Sequence, residues 1–177
     1  MAKRISVALC AVLALTTTLA AAETIVELKF ATEKGAGDKI GSVTISETEY
    51  GLLFTPKLAN VTGGVHGFHV HANGSCDPTK AEDGKVTPAG AAGGHFDPAS
   101  TKAHKGPFDK SGHLGDLPAL YADAEGKIIY PVLAPKLKKL SEISGKALML
   151  HAGGDNHSDQ PLVLGGGGAR IACGVIK

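Results

Sequence analysis

All eight histidines of the sequence fall between residues 66 and 157, at His66, His69, His71, His95, His104, His113, His151 and His157. The first three stand in "GVHGFHVHANGSC", residues 64–76, where an ordinary strand would carry hydrophobes or threonines. Side chains two apart on an extended strand share a face, so His69 and His71 converge on one centre while Phe68 and Val70 turn to the other side. Two imidazoles on one strand face are chelating geometry. His66 has the opposite parity, falls on the apolar side with Phe68, and reads as a hydrogen-bonded structural histidine.

Further along, the chain runs H-x8-H-x8-H-x2-D, giving His95, His104, His113 and Asp116. Three imidazoles and one carboxylate make a closed four-ligand set that suits tetrahedral zinc and leaves no position for substrate. A structural zinc would order a loop so poor in hydrophobes; a solvated histidine-rich loop is the alternative, and the spacing is not that of a standard finger. His69 and His71, joined by histidines from elsewhere, would form an all-imidazole site without thiolate. Among redox metals such a site favours copper, with zinc and nickel also able to bind.

The elements that must position these residues are short and β-like. "TIVELKF" alternates from Thr24 to Phe30, followed by "KIGSVTIS", "GLLFTPKL", "GGVHGFHVH", "LPALYAD", "GKIIYPVL", "KALMLHA" and "ARIACGVIK". About eight β-like segments without crossover helices predict an all-β fold, a Greek-key sandwich or flattened barrel of antiparallel strands. Two long irregular regions interrupt the spacing, residues 73–118 and 152–169. Loops of that length in a compact domain are usually functional or disordered. The four glycines at 165–168 are not a phosphate loop, since no Gly-Lys-Ser/Thr follows, and read as a flexible turn. "PKLKKLSEIS", 135–144, predicts a helical turn or a charged loop.

At 177 residues, 43% hydrophobic and 20% charged, the chain suits one domain with a substantial core. Residues 1–22 stand apart: a basic "MAKR", the apolar run "ISVALCAVLALTTTLA" and small residues before Glu23 predict a cleaved export signal. An uncleaved anchor is disfavoured by the three threonines and terminal alanines, and Leu9 is too large to precede a lipidated cysteine at Cys10. Export would leave residues 23–177 in the periplasm, with no stable membrane association. Sixteen basic and seventeen acidic residues would then remain, a near-neutral balance that gives no support for nucleic-acid binding. Only Cys76 and Cys173 would be left, and one pair in an exported protein is most simply a disulfide. In the chain-entropy model it contributes roughly 4 to 5 kcal/mol.

Taken in order, "GFHVH", "GGHFDP", "H-x8-H-x2-DLP", "HAGGDNHSD" and "ARIACGVI" resemble the copper/zinc superoxide dismutases, specifically their exported bacterial branch, over essentially all of residues 23–177. The resemblance implies a redox enzyme that converts superoxide to dioxygen and hydrogen peroxide by Cu(II)/Cu(I) cycling. It implies copper on His69, His71, His95 and His151, and zinc on His95, His104, His113 and Asp116. His95 would belong to both sets as a bridging imidazolate and would supply a proton. Asp155 would hydrogen-bond His69 and His104, and Arg170 would face the open side of copper and hold the anionic substrate. Cys76 and Cys173 match the family disulfide, which would pin the loop after the copper strand to the strand carrying Arg170.

Some features depart from the animal pattern. The loop after His151 lacks the acidic-lysine arrangement that steers superoxide there, which makes Lys80 and Lys85 the candidates for steering, although solvated lysines are an equal reading. The animal dimer surface does not transfer, so a homodimer would need a different face. Two rival readings are a periplasmic copper/zinc carrier, which needs no bridging histidine and no arginine, and a purely structural zinc sandwich, which would make His69, His71 and His151 superfluous.

Overall fold

The computed structural model describes residues 22–177, so the expected export signal, apart from Ala22, lies outside the described residues. The strands are β1 (Glu23–Thr32), β2 (Gly35–Thr48), β3 (Gly51–Leu58), β4 (Gly64–His66), β5 (Phe68–His71), β6 (Thr79–Lys80), β7 (Val86–Thr87), β8 (Leu120–Ala122), β9 (Val132–Ala134), β10 (Ala147–His151) and β11 (Arg170–Val175). Seven form one sheet in the order β5-β10-β11-β1-β2-β3-β9, and β4 pairs with β8. Every pairing is antiparallel. Three neighbouring pairs are non-consecutive in the chain, β5–β10, β11–β1 and β3–β9, as in a Greek key.

Alternation places the core. On β1, Val26 and Leu28 are buried while Glu27 faces out. On β2 the buried positions change parity, from Ile40 to Val43 and Ile45. A bulge allows this: Leu28 pairs with Gly41 and Lys29 with Lys39, leaving Ile40 as the extra residue. Gly41 takes φ 140° there, and a Cβ at that position would lie 2.0 Å from the Lys57 carbonyl oxygen. Phe54 of β3 and Phe68 of β5 are distant in strand order, yet their rings meet edge to face at 5.7 Å. The sheet therefore curls back on itself around one apolar cluster, the flattened barrel expected from the sequence.

Four local expectations are refined. "GGVHGFHVH" is two strands, broken at Gly67. "GKIIYPVL" yields only Val132–Ala134: Ile128 makes an isolated bridge to Leu58, Ile129 and Tyr130 are exposed, and Pro131 has no N–H to give a ladder. Within 73–118, too rich in glycine and proline to predict strands, β6 and β7 form a two-rung hairpin. The 135–144 segment contains a single 3-10 turn, Leu140–Glu142.

Candidate metal centre

β5 is the spine of the site. Its core-facing residues Phe68 and Val70 are fully buried in the apolar cluster, so His69 and His71 are presented on the other face. β10 pairs along one edge of β5, with Met149 opposite His69, and ends at His151, whose amide donates to the Gly67 carbonyl. The long loop lies along β5 as a makeshift strand. Val70 N–H donates to Gly115 at 2.9 Å, Phe96 N–H to Val70 at 2.8 Å, and Gly115 N–H to Phe96 at 2.8 Å. These bonds set His95 against His71 and Asp116 against His69 as bridge partners.

Two four-residue groups result: His69, His71, His95 and His151, and His95, His104, His113 and Asp116. Within each, one ligand atom per residue lies within 4.8 Å of all the others, every member is buried, and His95 belongs to both.

Hydrogen bonds to the outer ring nitrogens determine which nitrogens look inward. His71 Nδ1–H donates to the Gly93 carbonyl at 2.8 Å and His151 Nδ1–H to the Gly168 carbonyl at 3.1 Å, so each keeps a lone pair on Nε2. Those two Nε2 atoms face each other at 3.4 Å. His69 Nε2–H donates to Asp155 Oδ2 at 2.8 Å and His104 Nε2–H to Asp155 Oδ1 at 2.7 Å, which leaves both Nδ1 atoms bare. Asp155, set by the loop after His151, thus orients one histidine of each group.

Around Asp116 Oδ1 stand His95 Nδ1 at 3.0 Å, His104 Nδ1 at 3.0 Å and His113 Nδ1 at 3.2 Å. One carboxylate oxygen does not satisfy three converging ring nitrogens, and the His104 contact lacks hydrogen-bond geometry despite its length. Ligands about 2.0–2.1 Å from a tetrahedral zinc stand roughly 3.3–3.4 Å apart, close to these separations.

Electrostatics divides the two groups. Burial, reinforced by His95, lowers the pKa of His69 to about 3 and of His71 to about 2. Burial lowers His151 to about 4 against its bond to Gly168, and His95 is lowered too. All four are therefore neutral at pH 7, the form a metal needs. His104 behaves oppositely. Burial lowers it, but Asp116 and Asp155 together raise it to about 9. Both carboxylates lie well below the usual carboxylate range, because the histidine contacts outweigh the cost of burial. That end of the site attracts positive charge.

Among the described residues, three buried side-chain nitrogen or oxygen atoms have no hydrogen-bond partner: His69 Nδ1, His95 Nε2 and His104 Nδ1. Buried polar atoms are rarely left so, and each of these belongs to one of the two groups. The donor sets fit metals, all-imidazole on one side and three imidazoles with a carboxylate on the other.

The remaining predicted residues surround this centre. Arg170 pairs in register with His151, and its guanidinium donates to the Ala89 carbonyl at 2.6 Å and the Gly93 carbonyl at 2.7 Å. Cys76 and Cys173 are bonded, with Cα atoms 5.7 Å apart. His66 bridges backbone, Nδ1 facing the His151 carbonyl at 2.7 Å and Nε2 the Thr62 carbonyl at 2.8 Å. Lys80 and Lys85 are exposed on the β6–β7 hairpin. His157 packs on Gly106, where a Cβ would lie 2.5 Å from the ring.

Two residues at the site escaped the sequence reading. Asp159 accepts from the amides of His104 at 2.8 Å and Leu164 at 3.1 Å, tying the two long loops together. Gly165, at φ 72°, lies so close to Asp155 that a Cβ would sit 2.0 Å from Oδ1. Its place among four glycines hinted at a turn but not at this contact.

The family model for copper/zinc superoxide dismutase matches residues 39–176. The chain belongs to that family. Copper and zinc are its cofactors, and it is an oxidoreductase that converts superoxide to dioxygen and hydrogen peroxide. The chain is similar to the Cu-Zn superoxide dismutase of Escherichia coli strain K12, 55% identical over 175 residues that cover 99% of each chain. Among solved structures it resembles the Cu/Zn superoxide dismutase from Brucella abortus, with 52% identity and a TM-score of 0.86 over 88% of this chain and 100% of that one. It also resembles the monomeric copper, zinc superoxide dismutase from Salmonella enterica, with 55% identity and a TM-score of 0.80 over the same shares. Catalysis, rather than metal carriage or a purely structural zinc, is the family's activity.

Proposed function

We propose that His69, His71, His95 and His151 hold copper, that His95, His104, His113 and Asp116 hold zinc, and that His95 serves both through its two ring nitrogens. The observation that carries this reading is the set of bare buried nitrogens: His95 Nε2 and His69 Nδ1 toward one group, His104 Nδ1 toward the other. Copper, when bound, supplies the one-electron exchange with superoxide. Zinc would sit in the closed set, beyond substrate.

The chain's own residues do the rest. Arg170 binds the anion: two of its five donors are spent on Ala89 and Gly93, which fixes the guanidinium plane and leaves other N–H groups for superoxide. The Cys76–Cys173 bond secures both sides of that contact, because Cys173 lies on the arginine's strand and Cys76 opens the segment that leads to Ala89. His95 Nε2 is the atom that takes up and passes on a proton, while Nδ1 stays on the Asp116 side. Asp155 keeps His69 and His104 in the tautomers that leave Nδ1 free. Lys80 and Lys85 form the positive approach for superoxide.

Residues 1–22 act as the export signal and residues 23–177 function as one domain in the periplasm. An oxidising compartment suits the Cys76–Cys173 bond. To test the reading, residues 23–177 are purified, copper and zinc are counted per chain, and dismutation is assayed after each metal is removed. One of each metal, with activity abolished by removing copper, is expected. Activity that survives copper removal contradicts the assignment.

A further inference from the structure

The segment carrying His104 and His113 buries little apolar surface, so polar contacts must fix its shape. One comes from outside it. Lys136, in the turn after β9, reaches into the loop, and its Nζ donates to the carbonyls of Gly106 at 2.8 Å, Asp109 at 3.3 Å and His113 at 2.5 Å. An ammonium has three N–H donors and no acceptor. Here all three face backbone carbonyls of a single loop.

The base of this lysine is itself anchored. Leu137 is fully buried, and its carbonyl accepts the Leu52 amide at 3.0 Å, which ties the turn to β3. Pro135, on the other side, restricts the backbone. The half-buried Lys136 side chain is therefore a strut from the barrel to the loop. A guanidinium could not replace it, because a flat fork does not present three donors to carbonyls gathered around one point.

We infer that Lys136 is a positioning residue for zinc: by gathering the carbonyls of Gly106, Asp109 and His113 on one ammonium, it holds His113 where its ring meets Asp116 Oδ1. The inference rests on the zinc set proposed above. Lys136 acts through the His113 backbone and touches neither substrate nor ligand atoms.

The test is zinc affinity of the purified protein, residues 23–177, by competition with a chromophoric chelator, together with the visible spectrum of cobalt(II) bound in place of zinc. Lys136→Met should weaken zinc binding by about tenfold and alter the cobalt spectrum, leaving copper affinity unchanged. Lys138→Met, whose Nζ instead donates to the Tyr50 carbonyl, should change neither. If Lys136→Met does not fold, Lys136→Arg is measured in the same way, with the same loss expected. Wild-type zinc affinity and an unaltered cobalt spectrum in the folded variant overturn the inference, as does an equal loss for copper and zinc. A purely structural role would lower the melting temperature of the metal-free protein and leave zinc affinity alone. His113→Ala separates the two claims: if it keeps wild-type zinc affinity, the zinc set itself is wrong, whereas loss there with none at Lys136 removes Lys136 alone.

Discussion

Arg170 and His151 are register partners across the β10–β11 ladder, so one pair of backbone strands sets both the residue assigned to substrate and a histidine of the copper-side group. Arg170→Ala should slow dismutation by roughly one to two orders of magnitude, since it removes a charged contact to a small anion. Copper should stay bound, because the arginine is hydrogen-bonded to the carbonyls of Ala89 and Gly93 rather than to a histidine ring. Rapid-mixing kinetics beside copper analysis checks this, and unchanged turnover would take Arg170 out of the mechanism.

Asp155 is the residue through which both metal sites should fail together. Asp155→Ala strips the acceptor from His69 Nε2–H and His104 Nε2–H at once. Affinities for copper and for zinc should each fall by about 10- to 100-fold. Titration of the two metals separately reads this out; a loss confined to one metal would contradict the shared role.

A substitution that removes no polar atom should mimic part of that effect. A Cβ at Gly165 would lie 2.0 Å from Asp155 Oδ1 and 2.9 Å from His104 Nε2, and the residue has φ 72°. Gly165→Ala should destabilise the protein by at least about 1–2 kcal/mol from backbone conformation alone. It should also weaken zinc binding. A melting temperature and zinc affinity equal to wild type would show that the loop yields without cost.

Metal-free protein should lose stability in acid. His71, His69 and His151 have folded pKa values of about 2, 3 and 4, below the unfolded value, so the unfolded chain binds more protons as pH falls. Their contribution is complete above about pH 6.5 and is lost progressively toward their folded values. His104, raised to about 9, contributes in the opposite sense: its stabilisation is present below the unfolded pKa and is lost as pH rises through about 9. Melting temperatures of the metal-free protein across pH 4 to 10 should therefore fall on the acid side of about pH 6.5 and soften near 9. A flat acid limb would contradict the burial of neutral imidazoles.

Much of the centre was legible because it is periodic or dense in rare residue types. Strand parity alone separated His69 and His71 from Phe68 and Val70, and the spacing of His95, His104, His113 and Asp116 suggested a closed ligand set. What stayed hidden depends on backbone. Nothing in "GGHFDP" announces that Phe96 and Gly115 will bond to Val70 and lay the loop along β5. Lys136 looked like any charged loop residue, since its partners are carbonyls that every sequence supplies. Asp159 and Gly165 belong to the same class, one holding amides and the other vacating space. The short β9 and the β6–β7 hairpin are not legible in the sequence because propensity is local, whereas pairing needs a free edge to meet.

That His95 serves two metals through its two nitrogens is open to direct measurement. Cobalt(II) in place of zinc, with Cu(II) at the other site, tests it by electron paramagnetic resonance. An imidazolate shared between the ions couples their spins, so the Cu(II) signal should be largely quenched when cobalt is added and return when cobalt is removed. A full-intensity, unperturbed Cu(II) signal with cobalt bound would mean that His95 does not join the two sites.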